Sequence, residues 1–502
     1  MDFVYHVYLA FQVALEPMNL LLCFLGCLVG TFVGVLPGLG PAASLSLLFP
    51  LTFKLPPESA IIMLGGLYYG TLYGGSTTSI LLNVPGEAAS VVTCLDGYQM
   101  ARKGRAGPAL GIAAFGSFIA GTFATIMIML LGPPLAGFAL KFGPPEYVGL
   151  ILMGLTMVTY LSSGSKAKAL MMALVGLLIS YVGIDVVGGR ERFTMGIATI
   201  AGGFDIVPIV MGLFGISEVL LTLSHSEATR EVFQTKLRDL FPSKQDWKDS
   251  SGPIARGSIF GFFLGIIPGS GGMIASFISY AMEKKIAKHP ETFGKGDIRG
   301  VAGPESANNS GAQGSFIPML TLGIPCNVIM AILVGVLMVH GVSPGPRMLI
   351  EYPRIFWGVV GSMYIGNFML LILNLPLIGL WVRLLKVPYS MLFPFILLFC
   401  LIGAYTVGNN IQDVYIMILF GILGYLLKKY DYEPAPLILA FVLGPMFETA
   451  LRQSLIISGG SPLIFFSRPI AVTFLVISFI LLVSPLALRV LGKQWSGLMP
   501  KE

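Results

Sequence analysis

Between Gly300 and Pro325 the chain reads GVAGPESANNSGAQGSFIPMLTLGIP. Glu305, Ser306, Asn308, Asn309, Ser310, Gln313, Ser315 and Thr321 all fall inside this run, with Pro318 and Pro325 in its last third. The surrounding chain is 55% hydrophobic and only 11% charged, with a mean hydropathy of +0.83. That composition belongs to a polytopic membrane protein. A continuous lipid-facing helix is not written with so many polar groups. At membrane depth, irregular backbone survives only where protein buries it or where it lines a cavity. Polar groups at that depth mark a pathway or a binding site. The stretch is therefore expected to be a broken helix built around a polar site.

Several function classes are disfavoured by the same residues. The net charge of +6 does not point to nucleic acid, because the basic residues sit in short loops between apolar spans. The N-terminus lacks a basic region and a small-residue cleavage site, unlike a cleaved signal peptide. Five cysteines (Cys23, Cys27, Cys94, Cys326, Cys400) lie in or beside apolar segments, which argues against a disulfide framework. His6, His225, His289 and His340 have no ligand spacing, so no metal site is expected. No Walker A motif occurs, and the GxG of PGLGP lacks a βαβ context. No nucleophile or metal constellation supports an embedded enzyme, and no catalytic residue is assigned.

The chain reads as two copies of one pattern. A segment at 20–53 is interrupted by GVLPGLGP, and a second at 60–100 by YGTLYGGSTTS (Tyr69–Ser79) and NVPG (Asn83–Gly86). Plainer spans follow near 109–131, 145–161, 169–183 and 204–223. A hydrophilic segment at 224–254 separates the halves. The pattern then restarts: 257–281 is interrupted by GIIPGSGG, and 302–340 by the polar run and LGIPC. Spans near 355–378, 388–407, 413–427, 434–450 and 467–488 complete the chain. Matched, interrupted segments in two halves are the sequence pointer to a transporter binding site.

Cytoplasmic loops carry the excess of Lys and Arg. The loop after the first interrupted segment holds Lys54, and the later loop holds Arg102, Lys103 and Arg105. In the second half the bias swaps: Lys284, Lys285, Lys288, Lys295 and Arg299 come first, Arg347 and Arg354 later. Equivalent loops thus face opposite sides, which makes the repeats inverted. The expected fold is all-α, with inverted repeats at 1–223 and 255–502, a cytoplasmic linker at 224–254, and about 11 or 12 membrane-spanning segments. Segments 20–53 and 257–281 are expected to be re-entrant hairpins, and 60–100 and 302–340 broken helices. The N-terminus falls on the periplasmic side and the C-terminus in the cytoplasm.

Two hairpin tips and two broken helices would meet near the midplane. Gly38, Gly40, Gly86, Gly269, Gly271 and Pro325 mark tight turns whose backbone can approach an ion. Half-helix N-termini there suit a carboxylate, and unwound carbonyls suit a cation such as Na⁺. Ser76, Thr77, Thr78 and Asn83 from one half, with Asn308, Asn309, Ser310, Ser315 and Thr321 from the other, offer neutral hydrogen bonds to a substrate that must leave again. Small polar residues in membrane helices also serve close packing. Glu305 fits either a solvated cap at the interface or a ligand for a cation or proton. Asp96, Asp205, Glu218 and Glu448 read as end-of-span or structural carboxylates.

Three long motifs, GVLPGLGP, YGGSTTSILLNVPGEAASVVTCLDGYQMARKG and GPESANNSGAQGSFIPMLTLGIPCN, resemble the large membrane subunit of tripartite tricarboxylate transporters, the TctA family. The resemblance covers nearly the whole chain and departs at Cys326, where the family usually carries Gly. It implies a cation-gradient-driven importer of organic carboxylates such as citrate in a bacterial inner membrane. Na⁺ is the coupling ion it supports, with H⁺ as the other choice, and no resident cofactor is implied. The implied partners are a small integral membrane subunit and a periplasmic solute-binding protein. A carrier for another small anion or zwitterion is the alternative reading.

Overall fold

The computed structural model describes residues 2–36, 40–162, 164–185, 188–197, 200–224, 237–269, 271–385 and 389–490. The protein is an all-α polytopic membrane protein. Among the described residues six helices are long and apolar enough to cross a membrane: Pro17–Val35, Ala106–Ala139, Ile206–Leu223, Pro353–Asn374, Ile411–Lys429 and Ala435–Ile457. Shorter apolar helices include Phe3–Ala14, Pro41–Thr52, Val328–Val339, Phe393–Thr406 and Pro469–Ser484.

The chain forms two compact units, one from 1–137 with 206–426 and one from 138–205 with 427–502. Each takes segments from both sequence halves, so the compact units are not the halves themselves. In the smaller unit, Ala435–Ile457 packs on Lys166–Ser180 and on Pro144–Leu161, which also carries Pro469–Val490. A two-residue antiparallel ladder pairs Gly183–Ile184 with Glu191–Arg192. Arg192 donates to both Glu448 carboxylate oxygens (2.6 and 3.0 Å), and Arg452 bridges Glu448 (2.7 Å) and Asp185 (2.8 Å). Glu448 is thus a structural carboxylate.

Two helix pairs organise the larger unit. Pro17–Val35 lies along Pro57–Leu82, and Lys244–Ile266 lies along Arg299–Gly314. Both contacts are glycine seams. Gly26, Gly30 and Gly34 recur every four residues, and a Cβ built on Gly30 would stand 2.2 Å from the Leu67 carbonyl oxygen. Gly257, Gly261 and Gly265 repeat the spacing, and a Cβ on Gly265 would stand 2.1 Å from the Gly311 carbonyl oxygen. In lipid the hydrophobic effect does not drive helices together, so close backbone approach and dispersion carry the association.

That seam corrects one expectation. Tyr69–Ser79 does not interrupt a helix, because Pro57–Leu82 runs through it unbroken. Gly70 and Gly74 are there for contact with the Cys27 and Thr31 backbone. Ser79 returns its hydroxyl proton to the Gly75 carbonyl (2.9 Å), and Ser76 Oγ stands 3.0 Å from the Leu72 carbonyl, so both hydroxyls sit against the backbone of an intact helix. The break falls at Asn83, which is left-handed with φ of 58°, and helix resumes at Val91–Arg102.

The second half behaves alike. The polar run from Gly300 to Gly314 is helical (Arg299–Gly314), Phe316–Leu322 extends it, and the break comes at Gly323 (φ 73°). Asn327 then caps Val328–Val339, its Oδ1 accepting the Met330 N–H at 2.9 Å. The polar groups are therefore borne on a helix beside the break, not on the unwound backbone.

The segment expected at 257–281 extends beyond both of those bounds in the structure. It comprises Lys244–Ile266 and Gly271–Ile286. The first helix begins inside the hydrophilic linker because Ser243 and Asp246 form a capping box there, exchanging bonds of 3.2 and 2.9 Å. In the first half, Pro17–Val35 is followed by Pro41–Leu48.

Candidate functional site

Glu305 lies nearly two turns into Arg299–Gly314 and is only 1% exposed. Ser76 donates to its Oε2 at 2.6 Å, and the Thr93 hydroxyl donates to its Oε1. A second-half carboxylate is thus held by hydroxyls from both sides of the first-half break. One turn along, the Asn308 amide donates to Glu87 Oε1 at 2.6 Å, and Glu87 is the residue that follows the NVPG break. Asn309 donates to Ser117 Oγ (2.7 Å) and to the Glu305 carbonyl (3.1 Å). Gln313 Oε1 accepts from Thr125 at 2.7 Å. Neither Glu305 nor Glu87 has a Lys or Arg partner among the described residues.

The breaks sit against the segment ends. A Cβ on Gly86 would meet the Gly75 Cα at 2.4 Å and the Gly34 carbonyl oxygen at 2.6 Å. In the second half the Gly269 N–H donates to the Cys326 carbonyl at 2.7 Å. Gly269 (φ 84°) and Gly271 (φ 52°) hold left-handed backbone that a side chain would strain. Cys326 is buried and turns its thiol onto the Ile266 carbonyl at 3.2 Å. Asn308 Oδ1 is buried without a hydrogen-bond partner among the described residues. It stands 2.2 Å from where a Cβ on Gly272 would lie.

The expected site residues separate into two groups. Ser76, Thr77, Glu305, Asn308 and Asn309 gather at one place, with Gly86 beside Glu87. Thr78, Ser310, Ser315 and Thr321 have hydroxyl protons committed to the carbonyls of Gly75 (3.0 Å), Ser258 (2.6 Å), Ala312 (2.6 Å) and Ile317 (2.7 Å). Asn83 is an exposed helix end, Gly40 precedes Pro41–Leu48, and Pro325 is buried in the second break. Gly38 lies outside the described residues.

Sequence reasoning passed over Glu87, Thr93, Ser117, Tyr73, Asn367 and Asn374. Glu87 had a signal: a carboxylate directly after a Pro-Gly break in an apolar segment. Asn367 and Asn374 had one too, as amides seven residues apart on one face of Pro353–Asn374. The Tyr73 hydroxyl donates to Asn367 Oδ1 at 2.9 Å, and the Asn367 amide donates to the Phe118 carbonyl at 2.8 Å. Tyr73, Ser76, Thr77, Ser117 and Asn374, closed by Leu110, Ala113 and Ala114, line a small cavity. It has room for about one water molecule. No group of three His, Cys, Asp or Glu side chains able to hold a metal occurs among the described residues.

Comparison with known proteins bears on this arrangement. Residues 20–439 match the family described as the tripartite tricarboxylate transporter TctA family. An Agrobacterium vitis protein described as an uncharacterized 52.8 kDa protein in the TAR-I ttuC' 3'region is 51% identical over 494 residues, covering 98% of each chain. A second Agrobacterium vitis protein, uncharacterized and in the TAR-II ttuC' 3'region, is 51% identical over 234 residues, 47% of this chain and 97% of that one. No solved structure matches the chain. With the matched region spanning both helix pairs, both breaks and the Glu305 site, the chain belongs to the tripartite tricarboxylate transporter TctA family.

Proposed function

We propose that this protein is the large transmembrane subunit of a cation-gradient-driven, binding-protein-dependent importer of tri- or dicarboxylates. The observation that carries the substrate class is Asn308, whose amide already holds a carboxylate, that of Glu87, at 2.6 Å. Neutral amide and hydroxyl donors beside two helix breaks bind a carboxylate without the permanence of an Arg clamp. Glu305, buried with only hydroxyl partners, supplies negative charge for a co-transported cation, with Na⁺ favoured over H⁺. The substrate would lie between the two breaks, and the halves would be inverted repeats with the N-terminus periplasmic and the C-terminus cytoplasmic. A bacterial inner membrane, a small membrane subunit and a periplasmic solute-binding protein complete the system.

The test is uptake into proteoliposomes containing this protein, its small membrane partner and the cognate binding protein. Citrate and a panel of di- and monocarboxylates are supplied with and without an imposed Na⁺ gradient. Saturable, gradient-dependent uptake of one acid supports the reading. Asn309→Ala is expected to insert normally and lose uptake. Uptake of no carboxylate under either a Na⁺ or a proton gradient would overturn the proposal.

A further inference from the structure

The cavity beside Ser76 has an unusual hydrogen-bond inventory. The Tyr73 proton is committed to Asn367 Oδ1 (2.9 Å), that of Ser76 to Glu305 (2.6 Å) and that of Thr77 to the Tyr73 carbonyl (3.5 Å). The Asn374 amide donates to the Leu370 carbonyl at 2.9 Å. Its Oδ1 is buried with no partner among the described residues, in a side chain only 5% exposed. Three lining hydroxyls thus have their protons placed, and the Asn374 amide has one of its two. Ser117 also lines the cavity, and its oxygen accepts from Asn309.

We propose that this cavity is a site for one Na⁺ ion. Five side-chain oxygens line the cavity against two unplaced protons, one on Ser117 and one on the Asn374 amide, and this excess of lone pairs over donors favours a cation. No carboxylate lines the wall, so the site suits a single charge and lacks the ligand charge that divalent ions take. Room for about one water molecule favours Na⁺ over the larger K⁺. Glu305 provides the counter-charge one hydrogen bond away, behind Ser76. Ser117 links the cavity to Asn309, and so to the face assigned to the carboxylate. Ser76 and Thr77 are thereby cation ligands rather than substrate ligands. The site stands on the cavity alone, while its role as the coupling site rests on the transport reading above.

The experiment measures ²²Na⁺ binding to the purified full chain by scintillation proximity, with K⁺, choline and Ca²⁺ as competitors. Wild type should bind Na⁺ saturably, and none of the three should displace it at equal concentration. Asn374→Leu removes the unpaired oxygen, and the near-isosteric Thr77→Val removes a second ligand without changing volume. Each should weaken Na⁺ binding at least tenfold. Thr406→Val, an exposed hydroxyl on another helix, should leave it unchanged. If Asn374→Leu fails to fold, Thr77→Val carries the test. Absence of Na⁺ binding in wild type, or wild-type affinity in Thr77→Val, would overturn the site. Wild-type affinity in the variants together with Na⁺-driven citrate uptake would remove this cavity and leave the transport reading standing. Weakened binding in the variants with no carboxylate uptake by wild type would do the reverse.

Discussion

Replacing Glu305 by Gln tests how the buried carboxylate and the cation site communicate. The change keeps the side-chain length, and an amide oxygen can still accept from Ser76 or Thr93. The charge is lost together with one of the two acceptors, so one hydroxyl turns to accept from the new amide instead of donating. Ser76 stands 2.6 Å from Glu305 Oε2, so an ion held by the Ser76 oxygen lies about 5 Å from the carboxylate. At an effective dielectric constant of about 20 that separation is worth about 3 kcal/mol, or roughly a hundredfold in Na⁺ affinity. The assay is the Na⁺ dependence of citrate uptake in proteoliposomes at fixed citrate. Glu305→Gln should insert at wild-type levels and need roughly a hundredfold more Na⁺ for half-maximal uptake. Half-saturation within about threefold of wild type, in a variant that still transports, would refute the coupling of Glu305 to the cation. A variant that fails to insert would show instead that the carboxylate serves the fold.

Glu87→Ala frees the Asn308 amide from its 2.6 Å bond to an internal carboxylate. Because hydrogen bonds to charged groups contribute about 1.5–3 kcal/mol, the citrate KM should fall about tenfold; an unchanged or raised KM would mean that Glu87 does not compete with substrate. Gly265→Val puts a Cβ 2.1 Å from the Gly311 carbonyl oxygen, and overpacking of this kind destabilises by about 1–3 kcal/mol or more. Gly137→Ala, with open space around its Cβ, should be neutral or stabilising by up to about 1 kcal/mol, so equal thermal stability of the two variants would contradict the seam. At Asp246 burial pushes the carboxyl up, but the Ser243 hydrogen bonds and Arg105 hold it below its ordinary range. A depressed folded-state value means that the stabilisation is present above the unfolded value near 3.9 and is lost as pH falls through the folded one. Asp246→Asn should therefore cost about 1 kcal/mol at pH 7, with the gap to wild type closing in acid; a gap independent of pH would exclude the charge as its source.

The sequence by itself determined the membrane class, because 55% hydrophobic residues in long runs leave no aqueous fold to adopt. It also marked the two helix breaks, since Asn83-Val84-Pro85-Gly86 and Gly323-Ile324-Pro325 combine a missing donor with backbone freedom, and both effects are local. What it left undetermined was whether a glycine breaks a helix or packs it. Gly70 and Gly74 lie inside Pro57–Leu82 because Pro17–Val35 presses its backbone against them, and nothing within Tyr69–Ser79 records the neighbour. The same holds for the site. Glu305, Asn308 and Asn309 were visible as costly polar groups in lipid, but their partners Ser76, Thr93, Glu87 and Ser117 lie about 190 to 230 residues away in the chain. Asn374 became informative only when the packing around it closed and left its oxygen without a donor. Burial cost is a property of composition and is legible one residue at a time, whereas partnership is decided only when the helices meet.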